Sequence, residues 1–260
     1  MNNTELILSR KSIRTFDGKP LTSEDKEKLC DYISTIRNPY DIPVEFILLD
    51  VDEHGLSSPV IQGEHLYIAG KVSKTDHCEE AFGYSFEQMV LYAWSLGIGT
   101  TWIGGTMKRE LFESAAQVND GELMPIVSPL GYPAAERSEV DSKLRNSVHG
   151  DDRLPASEIF FEGDFSTSLK ENLELLEVVR WAPTAANMQP CRVVKDGKAY
   201  HFYEKHPDAY QKGAAWDVQK IDVGIAICHL MSVTEGKFSI ADPGINTDEN
   251  TEYIATVTVE

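Results

Sequence analysis

Basic and hydroxyl side chains cluster close to the start of the chain. Arg10, Lys11 and Arg14 place three cations within five residues, and Ser12 lies among them. Guanidinium groups bind phosphate through two parallel hydrogen bonds, and a hydroxyl adds a further donor. The cluster is therefore a candidate phosphate site. The alternative is a solvated turn, which is the commoner fate of such a run.

A small, polar loop follows a predicted amphipathic helix in the second part of the chain. Pro183 ends that helix, because proline offers no N–H and clashes with the preceding turn. The loop then carries Thr184, Asn187 and Gln189, and a β-branched run after it predicts a strand. Small residues let a ligand approach the backbone, while a hydroxyl and two amides supply donors and acceptors. The alternative is an ordinary connection between helix and strand, built from turn-forming residues.

Four glycines and a tryptophan mark a third segment, from Gly97 to Gly105. It superficially resembles a dinucleotide-binding loop, but that fingerprint follows a strand and opens a helix, whereas this segment follows a predicted helix. Trp102 also stands where the third glycine would be, so a Rossmann fold is excluded. The remaining alternatives are a structural glycine turn and a loop that brings backbone N–H groups close to a flat ligand.

A last pair of cations, Lys143 and Arg145, follows the sequence Gly-Tyr-Pro at 131–133. The segment around the pair is charged and is predicted to be irregular and extended. Residues two apart in an extended segment project to the same side, so both cations would face one partner. Taken alone, they are surface charge.

Composition limits the class of protein. The chain of 260 residues has a formal net charge of −18, which argues against nucleic acid and against anionic membranes as partners. Its four cysteines form no C-x-x-C pair, and we expect reduced thiols in a cytoplasmic protein. The sequence shows neither a membrane span nor a signal peptide. The histidines and acidic residues lack the spacing of metal ligands, so no metal site is predicted.

Hydrophobic periodicity predicts an α+β chain with an internal repeat. A helix, a proline-containing loop and a strand follow one another in residues 23–51 and again in residues 168–196. A one-sided helix that ends at a glycine occupies residues 83–97 and again residues 222–236. The other predicted elements are a helix at 108–116 and strands at 65–73, 122–130, 200–204 and 253–259. The predicted halves are residues 1–165 and 166–260.

The two halves differ in the motifs that they carry. The loop around Pro39 is shorter than its counterpart and lacks the polar residues found at 184–189. Conversely, the second half has no equivalent of the basic cluster, of the glycine loop or of the late cation pair. If a site needs one loop from one half and three elements from the other, the chain builds one complete site and not two.

Together these motifs resemble the FMN-dependent nitroreductase family. That family typically shows R-[RK]-S-x-R-x-F/Y near the N-terminus, A-P-[ST]-[SA]-x-N-x-Q-P-W-x-[FV]-x-V after a helix, a G-[LI]-G-[ST]-x-W-[IL]-G-G loop, and a late G-Y-P with a following K-x-R. The matching segments here are residues 10–16, 182–194, 97–105, 131–133 and 143–145. Two departures stand out: Cys191 replaces the usual tryptophan, and the first two motifs lie far apart rather than adjacent.

The resemblance implies a nitroreductase-like α/β/α sandwich. Ordinary members are homodimers with two flavins at the subunit interface, and each site takes residues from both subunits. This chain is similar to a tandem subgroup, in which two related halves are fused in one chain as a pseudo-dimer. One FMN per chain would lie between the halves, and the chain would be a monomer.

The resemblance also implies roles for individual residues. Arg10, Ser12, Lys143 and Arg145 would hold the phosphate, and Arg14 would lie near the ribityl chain and the N1/O2 edge of the flavin. Backbone N–H groups of the two glycines after Ile103 would face the ring, one of them N5. The complete predicted cofactor-binding set is Arg10, Lys11, Ser12, Arg14, Trp102, Ile103, Gly104, Gly105, Lys143, Arg145, Pro183, Thr184, Ala185, Asn187 and Gln189, with Gly104 and Gly105 as the catalytic pair.

The implied activity is passage of hydride from NAD(P)H through flavin N5 to a nitroaromatic, a quinone or a similar small-molecule acceptor, in a ping-pong reaction. One alternative is another flavin reaction on the same fold, such as dehalogenation or a specialised dehydrogenation. A second alternative is a non-catalytic flavin-binding protein. The intact glycine loop favours an enzyme, because retention of FMN alone needs chiefly the phosphate and ribityl contacts.

Overall fold

The computed structural model describes residues 1–171, 173–207 and 216–260, and it mixes helices and strands as predicted for an α+β chain. The helices are α1 (Asn3–Ser9), α2 (Ser23–Thr35), α3 (Val51–His54), α4 (Cys78–Ser95), α5 (Arg109–Ala115), α6 (Glu139–Ser147), α7 (Ala156–Ile159), α8 (Leu173–Arg180) and α9 (Val218–Val233). The strands are β1 (Val44–Asp50), β2 (Leu66–Ser73), β3 (Glu122–Leu123), β4 (Val127–Leu130), β5 (Phe160–Glu162), β6 (Asp164–Ser168), β7 (Cys191–Asp196), β8 (Ala199–Lys205), β9 (Gly236–Ser239) and β10 (Thr251–Val259).

Two sheets repeat one arrangement of strands. In the first sheet, β2 pairs antiparallel with β1 on one side and with β3 and β4 on the other. In the second sheet, β8 likewise pairs antiparallel with β7 and with β10. The order α2, β1, β2 and α4 in the first half matches α8, β7, β8 and α9 in the second. The predicted repeat of element order is confirmed.

The second sheet also takes strands from the middle of the chain. Strand β5 pairs in parallel with β7, and β6 pairs antiparallel with β5, so the sheet begins at Phe160. The predicted boundary between residues 165 and 166 falls inside β6. As a domain limit, that boundary stays a prediction.

Helices α4 and α9 cross at two glycines. A Cβ at Gly83 would lie 2.1 Å from the carbonyl oxygen of Ile221, and a Cβ at Gly224 would lie 2.2 Å from that of Glu80. The two contacts are reciprocal, because Gly83 and Gly224 differ in residue number by the same amount as Glu80 and Ile221. Each helix thus places its glycine against the equivalent carbonyl of the other helix. Self-complementary contacts of this kind characterise the interface of a two-fold dimer. The fold is therefore a pseudo-dimer whose interface contains this crossing.

Both long helices are more buried than their periodicity predicts. Nearly every residue of α9 from Gln219 to Leu230 is buried, and most of α4 is buried as well. The prediction of one-sided helices is wrong for this pair, because each helix packs against its counterpart as well as against a sheet. No helix in the described part of the chain combines the length and hydrophobicity needed to cross a membrane.

Two further local predictions are corrected. Gly97 does follow the end of α4 in a left-handed conformation, with φ +77°, whereas Gly236 lies in β9 and does not end α9. The single strand predicted at 122–130 is two strands, β3 and β4. Pro125 lies between them, and proline has no N–H to donate to a continuous ladder.

Candidate functional site

Three of the predicted motifs meet beside the first sheet. In the basic segment, the N–H of Ile13 donates to the carbonyl of Thr100 in the glycine loop over 2.8 Å. In the glycine loop, the N–H of Gly99 donates to the carbonyl of Gly131 over 2.8 Å. A Cβ at Gly99 would lie only 2.8 Å from the Cβ of Ile13, so this approach requires glycine. The basic segment, the glycine loop and the Gly-Tyr-Pro segment are thus neighbours in space.

Helix α6 is attached to the same segment through its first turn. The N–H of Ser138 donates to the Thr15 hydroxyl over 3.0 Å, and the Ser138 hydroxyl caps the helix by accepting from the N–H of Asp141. The carboxylate of Asp141 is buried and pairs with Arg14 over 3.1 Å. These contacts orient α6 so that Arg145, in its last turn, faces the basic segment.

Three arginines lie close enough to affect one another. The side chain of Arg10 is only 5% exposed. Burial lowers its pKa, Glu87 opposes that shift, and the charges of Arg145 and Arg14 lower the pKa further. Since like charges repel, a buried cluster of this kind in a chain of net charge −18 indicates a site for an anion.

A fourth arginine, Arg153, joins the cluster and is absent from the sequence prediction. Burial lowers its pKa to about 10, and the neighbouring charges of Arg10 and Arg145 add to the effect. Its guanidinium lies over the ring of Trp181, 4.6 Å from the centroid, and its Nη1 is 3.4 Å from the Oδ1 of Asn187. Asp151 and Asp152 precede it in the sequence, so Arg153 does not stand out as part of a basic motif.

The polar loop of the second half lies against the segment that follows α6. The side-chain amide of Asn187 donates to the carbonyl of His149 over 2.7 Å, and the N–H of Leu154 donates to Gln189 Oε1 over 2.8 Å. The hydroxyl of Thr184 accepts from the N–H of Gln189 over 3.0 Å. The loop therefore lies next to the arginines of the first half, and its three polar side chains fix its shape and position.

The backbone of this loop is strained and is anchored by a side chain of helix α9. Ala186, Asn187 and Gln189 have φ of 49°, 57° and 51°, a region that non-glycine residues rarely adopt. Both carboxylate oxygens of Asp222 lie within 3.1 Å of the N–H of Ala185. Burial raises the pKa of Asp222 well above its usual range, although that N–H opposes the shift. Asp222 on α9 is thus an anchor for the loop that the sequence did not reveal.

At the end of the glycine loop, some backbone groups are hydrogen-bonded to other described residues and some are not. Ile103 exchanges two backbone hydrogen bonds with Val127, over 2.9 and 3.0 Å, so its N–H is occupied. The carbonyl of Gly104 accepts from Arg109 over 2.6 Å. Among the residues that the structure describes, no acceptor lies within hydrogen-bonding reach of the N–H of Gly104 or of Gly105. Within that part of the chain, both donors are open to a ligand.

Lys143 does not join the cluster. Its segment is helix α6 and not the extended chain that the sequence predicted. Positions two apart on a helix lie roughly 200° apart, so Lys143 and Arg145 point to opposite sides. Lys143 is 79% exposed and pairs with Glu139 over 3.4 Å. The prediction that the two cations share one side is wrong.

The other predicted residues vary in burial. Lys11 and Gly105 are exposed, whereas Ile103 is buried. Trp102 packs on the core residue Phe86, with 4.8 Å between ring centroids. Cys191, the departure from the resembled pattern, is a buried thiol whose pKa is raised to about 12 by burial. The partly exposed members are Ser12, Arg14, Trp102, Gly104, Arg145, Pro183, Thr184, Ala185, Asn187 and Gln189.

Several buried polar atoms of the arginines and of the glycine loop lack a hydrogen-bond partner within residues 1–171, 173–207 and 216–260. These atoms are Arg10 Nε and Nη1, Arg153 Nε, Thr100 Oγ1, Thr101 Oγ1 and Trp102 Nε1. A buried donor without an acceptor costs about 1–3 kcal/mol. A bound anion with further polar groups would supply acceptors to this set, so the residues present fit such a ligand.

A comparison with protein families decides the relationship. A family model described as "Putative TM nitroreductase" matches residues 2–233, which is most of the chain. The chain belongs to this nitroreductase family. The resemblance drawn from the sequence motifs is confirmed. Among curated proteins, none matches this nitroreductase-family chain at a significant level.

Solved structures show the same fold. A "putative nitroreductase" from Thermotoga maritima superposes with a TM-score of 0.62 and 19% identity, over 100% of this chain and 94% of its own. An oxidoreductase containing FMN superposes with a TM-score of 0.52 and 16% identity, over 62% of this chain and 92% of its own. The second protein is thus almost fully matched by part of this nitroreductase-family chain, which agrees with two fused halves.

Proposed function

We propose that this chain is an FMN-dependent oxidoreductase that takes electrons from NAD(P)H and passes them to nitroaromatics, quinones or similar small molecules. The observation that carries the proposal is the convergence of four arginines, Arg10, Arg14, Arg145 and Arg153, beside a loop of the other half. A phosphate is the part of FMN that needs such a cluster. Family membership and the shared fold of an FMN-containing oxidoreductase support the assignment.

The phosphate would be held by Arg10, Arg145 and Arg153, with the hydroxyl of Ser12 as a further donor. Each charge-assisted hydrogen bond contributes about 1.5–3 kcal/mol. Arg14 would lie towards the ribityl chain and the N1/O2 edge of the ring, where a positive charge stabilises the reduced flavin. The loop of the second half would close the site from the other side through Pro183 and its neighbours.

When bound, FMN supplies the redox chemistry by accepting hydride at N5 and returning it to an acceptor. The chain's part is to orient the ring, and the available N–H groups of Gly104 and Gly105 suit that role. Arg109 holds the carbonyl of Gly104, and that carbonyl belongs to the same planar peptide as the N–H of Gly105. Arg109 therefore fixes the direction in which the Gly105 donor points.

The residues at the pseudo-symmetric positions support one cofactor per chain. The difference in residue number that relates Gly83 to Gly224 also relates Glu87 to Cys228. Glu87 is the carboxylate that contacts Arg10. The second half thus has a buried thiol where the first half has a carboxylate beside an arginine. We therefore propose one FMN between the halves of a monomeric, cytoplasmic chain.

Absorption spectroscopy of the purified protein tests the proposed function. Flavin bands that bleach on anaerobic addition of NADH or NADPH, and that return with a nitroaromatic or a quinone, are the expected result. Bands that resist both nucleotides would favour a flavin-binding protein without turnover or another donor. A colourless protein that also fails to bind added FMN would refute the assignment of the arginine cluster.

A further inference from the structure

A buried acid and a buried histidine lie behind the proposed phosphate site. Glu87 on α4 and His229 on α9 both have side chains of 0% exposure. The Oε1 of Glu87 is 3.6 Å from Arg10 Nε and 2.9 Å from His229 Nε2. The other ring nitrogen, Nδ1, is 2.8 Å from the carbonyl oxygen of Val178 on α8. These contacts join three helices directly behind the guanidinium of Arg10.

Hydrogen-bond chemistry fixes the number of protons in this pair. A carbonyl oxygen only accepts, so Nδ1 of His229 must carry a hydrogen to bond Val178. A neutral imidazole would then have a lone pair at Nε2, and an ionised Glu87 has only lone pairs. Two acceptors 2.9 Å apart in a fully buried site would repel each other. One further hydrogen must therefore lie between them, either on His229 as a cation or on Glu87 as a neutral acid.

The extra proton changes the charge that Arg10 presents. With it, Arg10, Glu87 and His229 together carry a net charge of +1 in either arrangement. Without it, Glu87 would cancel the charge of Arg10. Among the described residues, Arg14, Arg145 and Arg153 lie beside Arg10 as further charges. Cys228 also faces the trio, and its thiol stays protonated because burial raises its pKa.

The pair exists only on the side of the pseudo-dimer that has the arginine. The pseudo-symmetric counterpart of Glu87 is Cys228, and the counterpart of His229 is Gln88. The side-chain amide of Gln88 donates to the carbonyl of Arg37 over 2.7 Å, much as the ring of His229 donates to Val178. A bond from the long helix to the backbone carbonyl at the equivalent position is thus kept in both halves, whereas the acid–histidine pair is formed by Glu87 and His229 alone among the four positions.

We propose that Glu87 and His229 share one proton, and that His229 acts through Glu87 as a positioning residue that keeps the charge of Arg10 available to the phosphate of FMN. The inference rests on the proposed function, because it takes Arg10 as a phosphate ligand. It adds a requirement that family membership does not contain: phosphate affinity depends on a histidine that never touches the phosphate.

The test compares FMN with riboflavin, which lacks the phosphate, as ligands of the full chain. If the shared proton depends on His229, then His229→Gln lets Glu87 cancel the charge of Arg10, so FMN affinity should fall by about tenfold or more while riboflavin affinity stays the same. In the double variant Glu87→Gln, His229→Gln, no negative charge remains, and FMN affinity should recover. His201→Gln replaces another buried histidine, bonded to Thr256 over 2.7 Å, and should leave both affinities unchanged.

Two results would overturn the inference. One is a ratio of FMN to riboflavin affinity that His229→Gln leaves at the wild-type value. The other is a double variant that binds FMN as weakly as His229→Gln. If His229→Gln does not fold, nuclear magnetic resonance of labelled wild-type protein decides, and an ionised Glu87 next to an unprotonated His229 Nε2 would refute the shared proton. A wild type that binds FMN no more tightly than riboflavin would instead refute the phosphate site itself.

Discussion

The four arginines of the proposed site are held by contacts of different strength. Arg14 pairs with Asp141, which is only 2% exposed, whereas Arg145 pairs with Asp151, which is 70% exposed. Asp151 regains water when it leaves Arg145, so a phosphate can displace it more easily than it can displace the buried Asp141. Arg14 would lose more by leaving its buried partner. This difference supports Arg145 as a phosphate ligand and Arg14 as a fixed neighbour.

The same helix provides a matched pair of variants that test this view. Arg145→Met should weaken FMN binding by about tenfold or more, because it removes a charge-assisted bond to the phosphate. Lys143→Met removes an equal charge from the opposite side of α6 and should change the affinity by about twofold or less. Equilibrium titration of each variant with FMN measures both effects. Equal losses in the two variants would show that only the overall charge matters.

Stability should respond to pH through Glu204, in the middle of the second sheet. Burial, assisted by the charge of Asp217, raises its pKa to about 9 from an ordinary 4.5. The folded chain thus holds a proton that the unfolded chain has lost, so stability falls as pH rises from about 4.5 to about 9. Glu204→Gln keeps a neutral group there and should reduce the fall in Tm between pH 6 and pH 9 by about 5 °C.

Thermal unfolding at several pH values measures this response. Glu162→Gln is the matched control, because Glu162 lies in the same sheet, is exposed and is not among the groups whose charge affects Glu204. The control should follow the wild type across the pH range. A Glu204→Gln variant with the same decline as the wild type would mean that Glu204 is ionised in the folded chain.

At the scale of the elements, the glycine loop owes its shape to an arginine outside it. Arg109, at the start of α5, donates to the carbonyls of Gly104, Met124 and Pro125 over 2.6, 2.7 and 3.1 Å. These bonds connect the loop to the interruption between β3 and β4. The orientation of the Gly105 N–H therefore depends on a residue that need not touch the cofactor.

Arg109→Met should slow the reduction of bound flavin by about tenfold, because the Gly105 donor is no longer held in one direction. FMN affinity should change little, since the phosphate contacts lie elsewhere. Lys108→Met removes the neighbouring cation and is the matched control. Stopped-flow reduction by NADH or NADPH measures the rate. A normal rate in Arg109→Met would mean that the loop keeps its shape without these bonds.

The success of the sequence-based predictions also differs between secondary-structure elements. Strong periodicity predicted helix α2 and the strands β2, β7 and β8. Helix α6 was missed because it carries only two apolar residues, Val140 and Leu144, among polar and charged ones. Its start depends instead on the Ser138 cap and on the contact between Asp141 and Arg14, a partner 127 positions away in the chain.

The candidate site shows the same limit. The motifs predicted that Arg10, Arg145 and the loop around Asn187 come together, and the structure places them side by side. Arg153 and Asp222 escaped notice because neither lies in a motif. Their roles come from burial, from the ring of Trp181 and from the N–H of Ala185, which are tertiary contacts that no local pattern contains.

At the scale of the whole molecule, a two-fold fold carries an asymmetric set of charges. The crossing of α4 and α9 keeps the reciprocal contacts of a dimer interface. The four arginines of the proposed site all lie in the first half, and the polar loop beside them lies in the second half. Fusion of the halves allows each to specialise, because one chain no longer needs to provide both parts of the same site.

The number of cofactors per chain tests this account most directly. Titration of flavin-free protein with FMN, followed by absorbance and by the protein concentration, gives the stoichiometry. We predict one FMN per chain in the wild type, and much weaker binding in a variant with Arg10→Met and Arg145→Met together. A ratio near two would contradict the account, because it would require a second site in the half that lacks the arginines.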